Sequence, residues 1–141
     1  MRMVLDRWLW RRKFRLALGV AILQMGAANC FADDCANASS QIDLDVCYGK
    51  QYAAADAELN ATYTALMKQV SPESQASLRA AQRAWLAYRD KQCAFNLLGR
   101  GDASVYPMVL AICKTSLTMQ QNDELKAQLN CEEGDLTCGG Q

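Results

Sequence analysis

Two sets of polar side chains have the types and spacing for chemistry. Asp56, Asn60 and Tyr63 are separated by four and three residues, and Gln82 and Arg89 by seven, so each set shares one face of a helix. A carboxylate, two amides and a guanidinium facing one another make charge-assisted hydrogen bonds. Such a network either fixes the register of two helices or forms one wall of a recognition surface. Acid–base chemistry would fall to carboxylates alone, with Asp56, Glu58 and Asp90 as the helix-borne candidates. The chain has no histidine, which removes the commonest general base, the commonest metal ligand and every Ser-His or Cys-His nucleophile. It has no phosphate loop and no Cys-x-x-Cys spacing. The expectation is a binding protein that is not an enzyme, with no cofactor and no metal.

The other reactive groups are seven cysteines in 141 residues, a density that belongs in an oxidising compartment if the chain is exported. The leader predicts that it is. Arg2, Arg7, Arg11, Arg12, Lys13 and Arg15 precede an apolar run from Leu16 to Ala28, and Cys30-Phe31-Ala32 offers small residues at a cleavage position. The apolar run is shorter than the roughly 20 residues a spanning helix requires. Residues 1–32 therefore read as a signal peptide and residues 33–141 as one helical domain, periplasmic or secreted and not membrane-spanning. Arg11-Arg12-Lys13-Phe14 resembles a twin-arginine signal with Trp10 in place of Ser or Thr. Cys30 as a lipid anchor is disfavoured, because Asn29 and Ala27 match a lipobox poorly.

Removing the leader changes the charge. The whole chain carries 15 basic and 15 acidic residues; residues 1–32 hold six basic groups and one acidic group, leaving a domain of net −5. That balance argues against nucleic acid and anionic lipid and permits a basic protein partner.

Three helical segments must position these residues. Tyr48, Tyr52, Ala55, Leu59, Tyr63, Leu66 and Val70 step by threes and fours, predicting a helix over 41–70. Ser71-Pro72-Glu73 caps and opens a second over 72–98, in which Leu78, Ala81, Trp85, Tyr88 and Gln92 form the apolar stripe with Gln82 and Arg89 beside it. Gly99-Arg100-Gly101-Asp102 is a turn. A third helix over 107–129 carries Val109, Ile112, Cys113, Leu117, Leu125 and Leu129 on one side, and a Gly-rich tail bounded by Cys131 and Cys138 follows. The expected fold is all-α, a small antiparallel three-helix bundle stapled by disulfides.

Folding back at residues 71–72 and 102–103 sets the cysteines at matching levels. Cys47, Cys93 and Cys113 gather at one end, and Cys35 precedes it. Cys35–Cys47 and Cys93–Cys113 fit as bridges, and Cys131–Cys138 closes a six-residue loop. Six cysteines allow 15 connectivities, so this pairing rests on geometry. The same folding puts Asp56, Asn60, Gln82 and Arg89 within reach of one another. Arg100, on the most protrusive loop, is able to meet a carboxylate on a partner.

Ala55-Asp56-Ala57-Glu58-Leu59-Asn60-Ala61-Thr62-Tyr63, then Ala81-Gln82-Arg83-Ala84-Trp85-Leu86-Ala87-Tyr88-Arg89-Asp90 and Cys93, resembles the LprI-type lysozyme-inhibitor family. Ser104-Val105-Tyr106-Pro107-Met108 and Cys113 extend the resemblance to roughly residues 35–129. It implies an exported, cysteine-stapled helical domain with a protein partner, lysozyme being the family's eponymous target. Two functional readings follow. In the first, the domain occludes a lytic enzyme or similar basic protein, using Asp56, Asn60, Gln82, Arg89 or Arg100. In the second, it is a periplasmic interaction or stress module of the envelope without lysozyme activity, binding through aromatic side chains.

Overall fold

The computed structural model describes residues 35–132, 135 and 138. The leader and Cys30 lie outside the described residues. Three helices follow in order, α1 (Gln41–Gln69), α2 (Pro72–Asn96) and α3 (Tyr106–Leu129). There are no strands among the described residues.

Side-chain caps set the starts of α1 and α2, whereas α3 begins after Val105 without one. Ser40 caps α1 by accepting a hydrogen bond from the Asp43 backbone N–H, and the Ser40 and Ser39 hydroxyls both donate to the Asp43 carboxylate. Those hydroxyl bonds, Ser40's foremost, hold the Asp43 carboxyl below its ordinary range. Ser71 caps α2, Pro72 opens its first turn, and Val70 and Ser71 form the whole connection from α1. Past α2, Gly99 takes a φ of +79°, a left-handed conformation that a side chain would strain. Tyr106 and Pro107 begin α3.

Pairing across the bundle sets the topology. Gln41 reaches the Met108 sulfur and Lys126 pairs with Glu58, so α1 and α3 run parallel. Cys93–Cys113 and Asp90–Lys114 set α2 antiparallel to both. The close helix pair is α1 with α3; α2 stands further off and approaches α3 more than α1.

The apolar core occupies the half of the bundle near the α1–α2 turn. Leu59, Leu66, Val70 and Leu125 are buried there, with Tyr63, Leu78, Trp85 and Leu129 packed around them. The opposite half is stapled by Cys35–Cys47 and Cys93–Cys113, and Cys131–Cys138 closes the segment after α3. Cys35–Cys47 and Cys93–Cys113 stand in the half of the domain that buries fewer large apolar side chains.

The inward face of α2 differs from the expected apolar stripe. Gln82, Arg89 and Cys93 are buried, while Tyr88 is 53% exposed and Ala81 also faces solvent. Joining Cys93 to Cys113 fixes the rotation of α2. Tyr88, one residue or about 100° from Arg89, is thereby turned outward. On α3 the buried line likewise runs through Ala111, Thr118, Asn122 and Leu125, and Ile112 is exposed.

Candidate functional site

Arg89 is where the three helices meet. It is only 5% exposed, yet its guanidinium has partners on every side. Nη1 donates to Asp56 Oδ1 of α1 at 3.0 Å and to Thr118 Oγ1 of α3 at 3.4 Å, and Nε donates to Asp90 Oδ1 at 3.1 Å. The cation lies 5.4 Å from the centre of the Tyr52 ring and 5.3 Å from that of Trp85. Lys114 approaches Tyr52 from α3 and closes the circuit by pairing with Asp90 at 3.1 Å. Burying a lone cation is costly; two carboxylates, a hydroxyl and two aromatic faces offset that cost here.

Local sequence explains each contribution. Asp56 follows Tyr52 by four residues, and Arg89 follows Trp85 by four, so each pair stacks along one helix face. Asn60, four residues past Asp56, donates to Asp56 Oδ2 at 3.1 Å and steadies the carboxylate from the solvent side. Burial alone would raise the Asp90 carboxyl, but hydrogen bonds from Lys114 and Arg89 and their positive charge outweigh it and the net shift is downward. One turn further on, the hydrogen bond and charge of Lys126 lower the Glu58 carboxyl, with help from the Asn122 side chain, and Lys126 is raised in return.

The expected site residues therefore separate. Asp56, Asn60 and Arg89 form one connected group, with Arg89 inside and Asp56 and Asn60 reachable from solvent. Gln82 is buried but outside that group, and its Oε1 has no hydrogen-bond partner. Arg100 is exposed on the α2–α3 loop, near the disulfide end, and takes no part in the network. Thr118 and Asn122 of α3 were not foreseen. Their signal was a pair of polar residues four apart, in line with Ala111 and Leu125.

Around Arg100 the disulfide end is apolar. Ile42 and Val46 at the start of α1, Phe95 and Leu98 at the end of α2, and Val105 and Ile112 across the loop are all exposed. Phe95, in the last turn of α2, is 67% exposed, and Leu98, just past its end, 72%. Among the described residues no group of three or more Cys, Asp or Glu is placed to hold a metal ion, and no helix is long and apolar enough to cross a membrane.

The lysozyme inhibitor LprI family model matches residues 32–125. The chain belongs to the LprI family. An uncharacterized protein of Rhizobium meliloti (strain 1021) is 37% identical over 113 residues, covering 71% of this chain and 81% of its own length. No solved structure matches the chain. The LprI match takes in the Arg89 node, the Cys35–Cys47 and Cys93–Cys113 bridges and the Arg100 loop, and stops before Cys131–Cys138.

Proposed function

We propose that the domain is an exported inhibitor of a cell-wall lytic enzyme, most simply a c-type lysozyme, acting by covering the enzyme's cleft. Membership of the LprI family carries the reading. The chemistry is consistent: glycosidases of this kind work with two carboxyl groups in an open cleft. An exposed guanidinium at Arg100, on a loop flanked along the chain by the exposed Phe95, Leu98 and Val105, has the charge to meet a carboxylate, and these apolar neighbours can help exclude water from the contact. A net −5 domain is also steered toward a basic enzyme. Export to the periplasm or outside the cell is part of the proposal.

The test is inhibition of purified c-, g- and i-type lysozymes by micromolar disulfide-bonded protein, with Arg100→Ala and Asp56→Ala in parallel. Loss of inhibition in Arg100→Ala at unchanged melting temperature places the contact at the loop. Loss in Asp56→Ala alone, in protein that circular dichroism shows to be fully folded at the assay temperature, moves it to the flank of the Arg89 node. No inhibition of any lysozyme retires the reading. It would favour an envelope interaction module without lysozyme activity, for which the exposed Tyr88, Phe95 and Leu98 are the supporting surface.

A further inference from the structure

The net −5 of residues 33–141 is not spread evenly over the domain. Arg89, Lys114 and Lys126 are ion-paired. Arg79, Arg83 and Lys91 of α2 are exposed, and no ion pair reaches any of them among the described residues. They are also ordered along the helix. Four-residue steps carry Arg79, Arg83, Ala87, Lys91 and Phe95 along one ridge, with the outermost cations about 18 Å apart. Tyr88 stands beside this ridge, seven residues and so nearly two turns before Phe95, which puts the two rings on one side. They are 53% and 67% exposed.

That side faces away from the bundle, because the buried line of α2 runs through Gln82, Arg89 and Cys93. The carboxylates of α1 and α3 therefore stand behind α2, further from this face by about one helix diameter, 10 Å. Salt at ~0.1 M screens a charge over the same distance. Of the two carboxylates on α2 itself, Asp90 is held by Arg89 and Lys114, and Glu73 lies in the first turn, six residues ahead of Arg79. An acidic domain thus presents one locally cationic side, and its total charge does not decide what that side meets.

We propose that the outer side of α2 docks on an anionic lipid surface. The three cations lie over the phosphate headgroups, and the rings of Tyr88 and Phe95 enter the interfacial layer, which favours aromatic side chains. The side of a helix meets a plane along its whole length. A soluble polyanion would satisfy Arg79, Arg83 and Lys91 and leave Tyr88 and Phe95 in water. A basic enzyme would be repelled from this side, so the proposal stands apart from the inhibitor reading.

Co-sedimentation of the disulfide-bonded protein with vesicles tests this. Binding to equimolar phosphatidylglycerol and phosphatidylcholine is expected in ~0.1 M salt, with little on phosphatidylcholine alone and loss in ~1 M salt. Arg79→Gln, Arg83→Gln and Lys91→Gln should each lower the partition coefficient about fivefold, and all three together about a hundredfold. Lys50→Gln and Lys68→Gln, exposed on α1, should change it less than about twofold. Tyr88→Ser with Phe95→Ser should lower it about tenfold or more. All of these positions are exposed, so the fold is kept. Any lysozyme inhibition should be unchanged in the triple Gln variant, so the two readings fail separately. No vesicle binding, equal binding to both vesicle types, or equal losses from the α1 and α2 substitutions each overturn the proposal. Heparin binding that needs the three cations, with vesicle binding indifferent to Tyr88 and Phe95, also overturns it and assigns the ridge to a soluble polyanion.

Discussion

Arg89 Nη1 and Asp56 Oδ1, 3.0 Å apart, join α2 to α1 where the two helices have little other backbone proximity. Arg89 is inside the bundle and Asp56 at its edge, with side chains 7% and 35% exposed. Removing either partner should therefore have unequal effects.

Asp56→Ala leaves Arg89 buried with Asp90 and Thr118 still in place, and should cost about 1–3 kcal/mol of stability. Arg89→Ala also deletes the packing against Tyr52 and Trp85 and should cost more; Arg89→Met keeps most of that packing and should fall between wild type and Arg89→Ala. Urea unfolding of the three variants gives the order.

Acid should weaken the bundle through Glu58 and Asp90. Both carboxyls are held below their unfolded values, so their contribution is complete above the ordinary carboxylate range and is lost as pH falls through their folded values. Both side chains are about half exposed, so solvent screens the pairs and the effect is modest. Lys126 has the opposite sign: its contribution is present below the usual lysine range and lost as pH rises above it. Melting temperature measured from pH 7 down to 2 should fall less steeply in Glu58→Gln than in wild type.

The disulfides should not be equivalent. Replacing Cys93 and Cys113 by Ala removes the link that holds α2 to α3 and should cost about 2–4 kcal/mol. Replacing Cys131 and Cys138 opens a segment beyond α3 that spans only seven positions, so the loss should be smaller. Thermal unfolding of the two double variants, under oxidising conditions, makes the comparison.

Phe95 and Leu98 are so exposed that changing both to Ser should leave melting temperature within about 0.5 kcal/mol equivalent of wild type. If the disulfide end is the contact surface, the same double variant should lose most of its inhibition of lysozyme. Retained inhibition removes that end from the interface.

Much of the architecture could be read in advance because it rests on local rules. Ser71-Pro72 marks a helix boundary whatever surrounds it, and Gly99 marks a loop because its conformation is open to few other residues. Once three helices of known length are folded back at those points, Cys93 and Cys113 fall at one level. The resemblance in residues 55–63 and 81–93 pointed to the family that the match over residues 32–125 shows.

Rotation was not local. Periodicity placed Tyr88 and Ile112 on inward faces, since both are large and apolar at helical spacing. Which side of α2 turns inward depends on the covalent tie at Cys93 and on the energy of enclosing Arg89 among groups from three helices, and no window of sequence contains those terms. Thr118 and Asn122 belong to the same class, since a polar residue on an apolar face has meaning only once its partner is known. Helix identity and order and the Ser71-Pro72 boundary thus came from the sequence by itself, because backbone caps and propensities act over a few residues; α2, expected to reach residue 98, ends at Asn96. The Arg89 node, the outward Tyr88 and the buried Gln82 were decided by tertiary packing, because they depend on how three helices share one small interior.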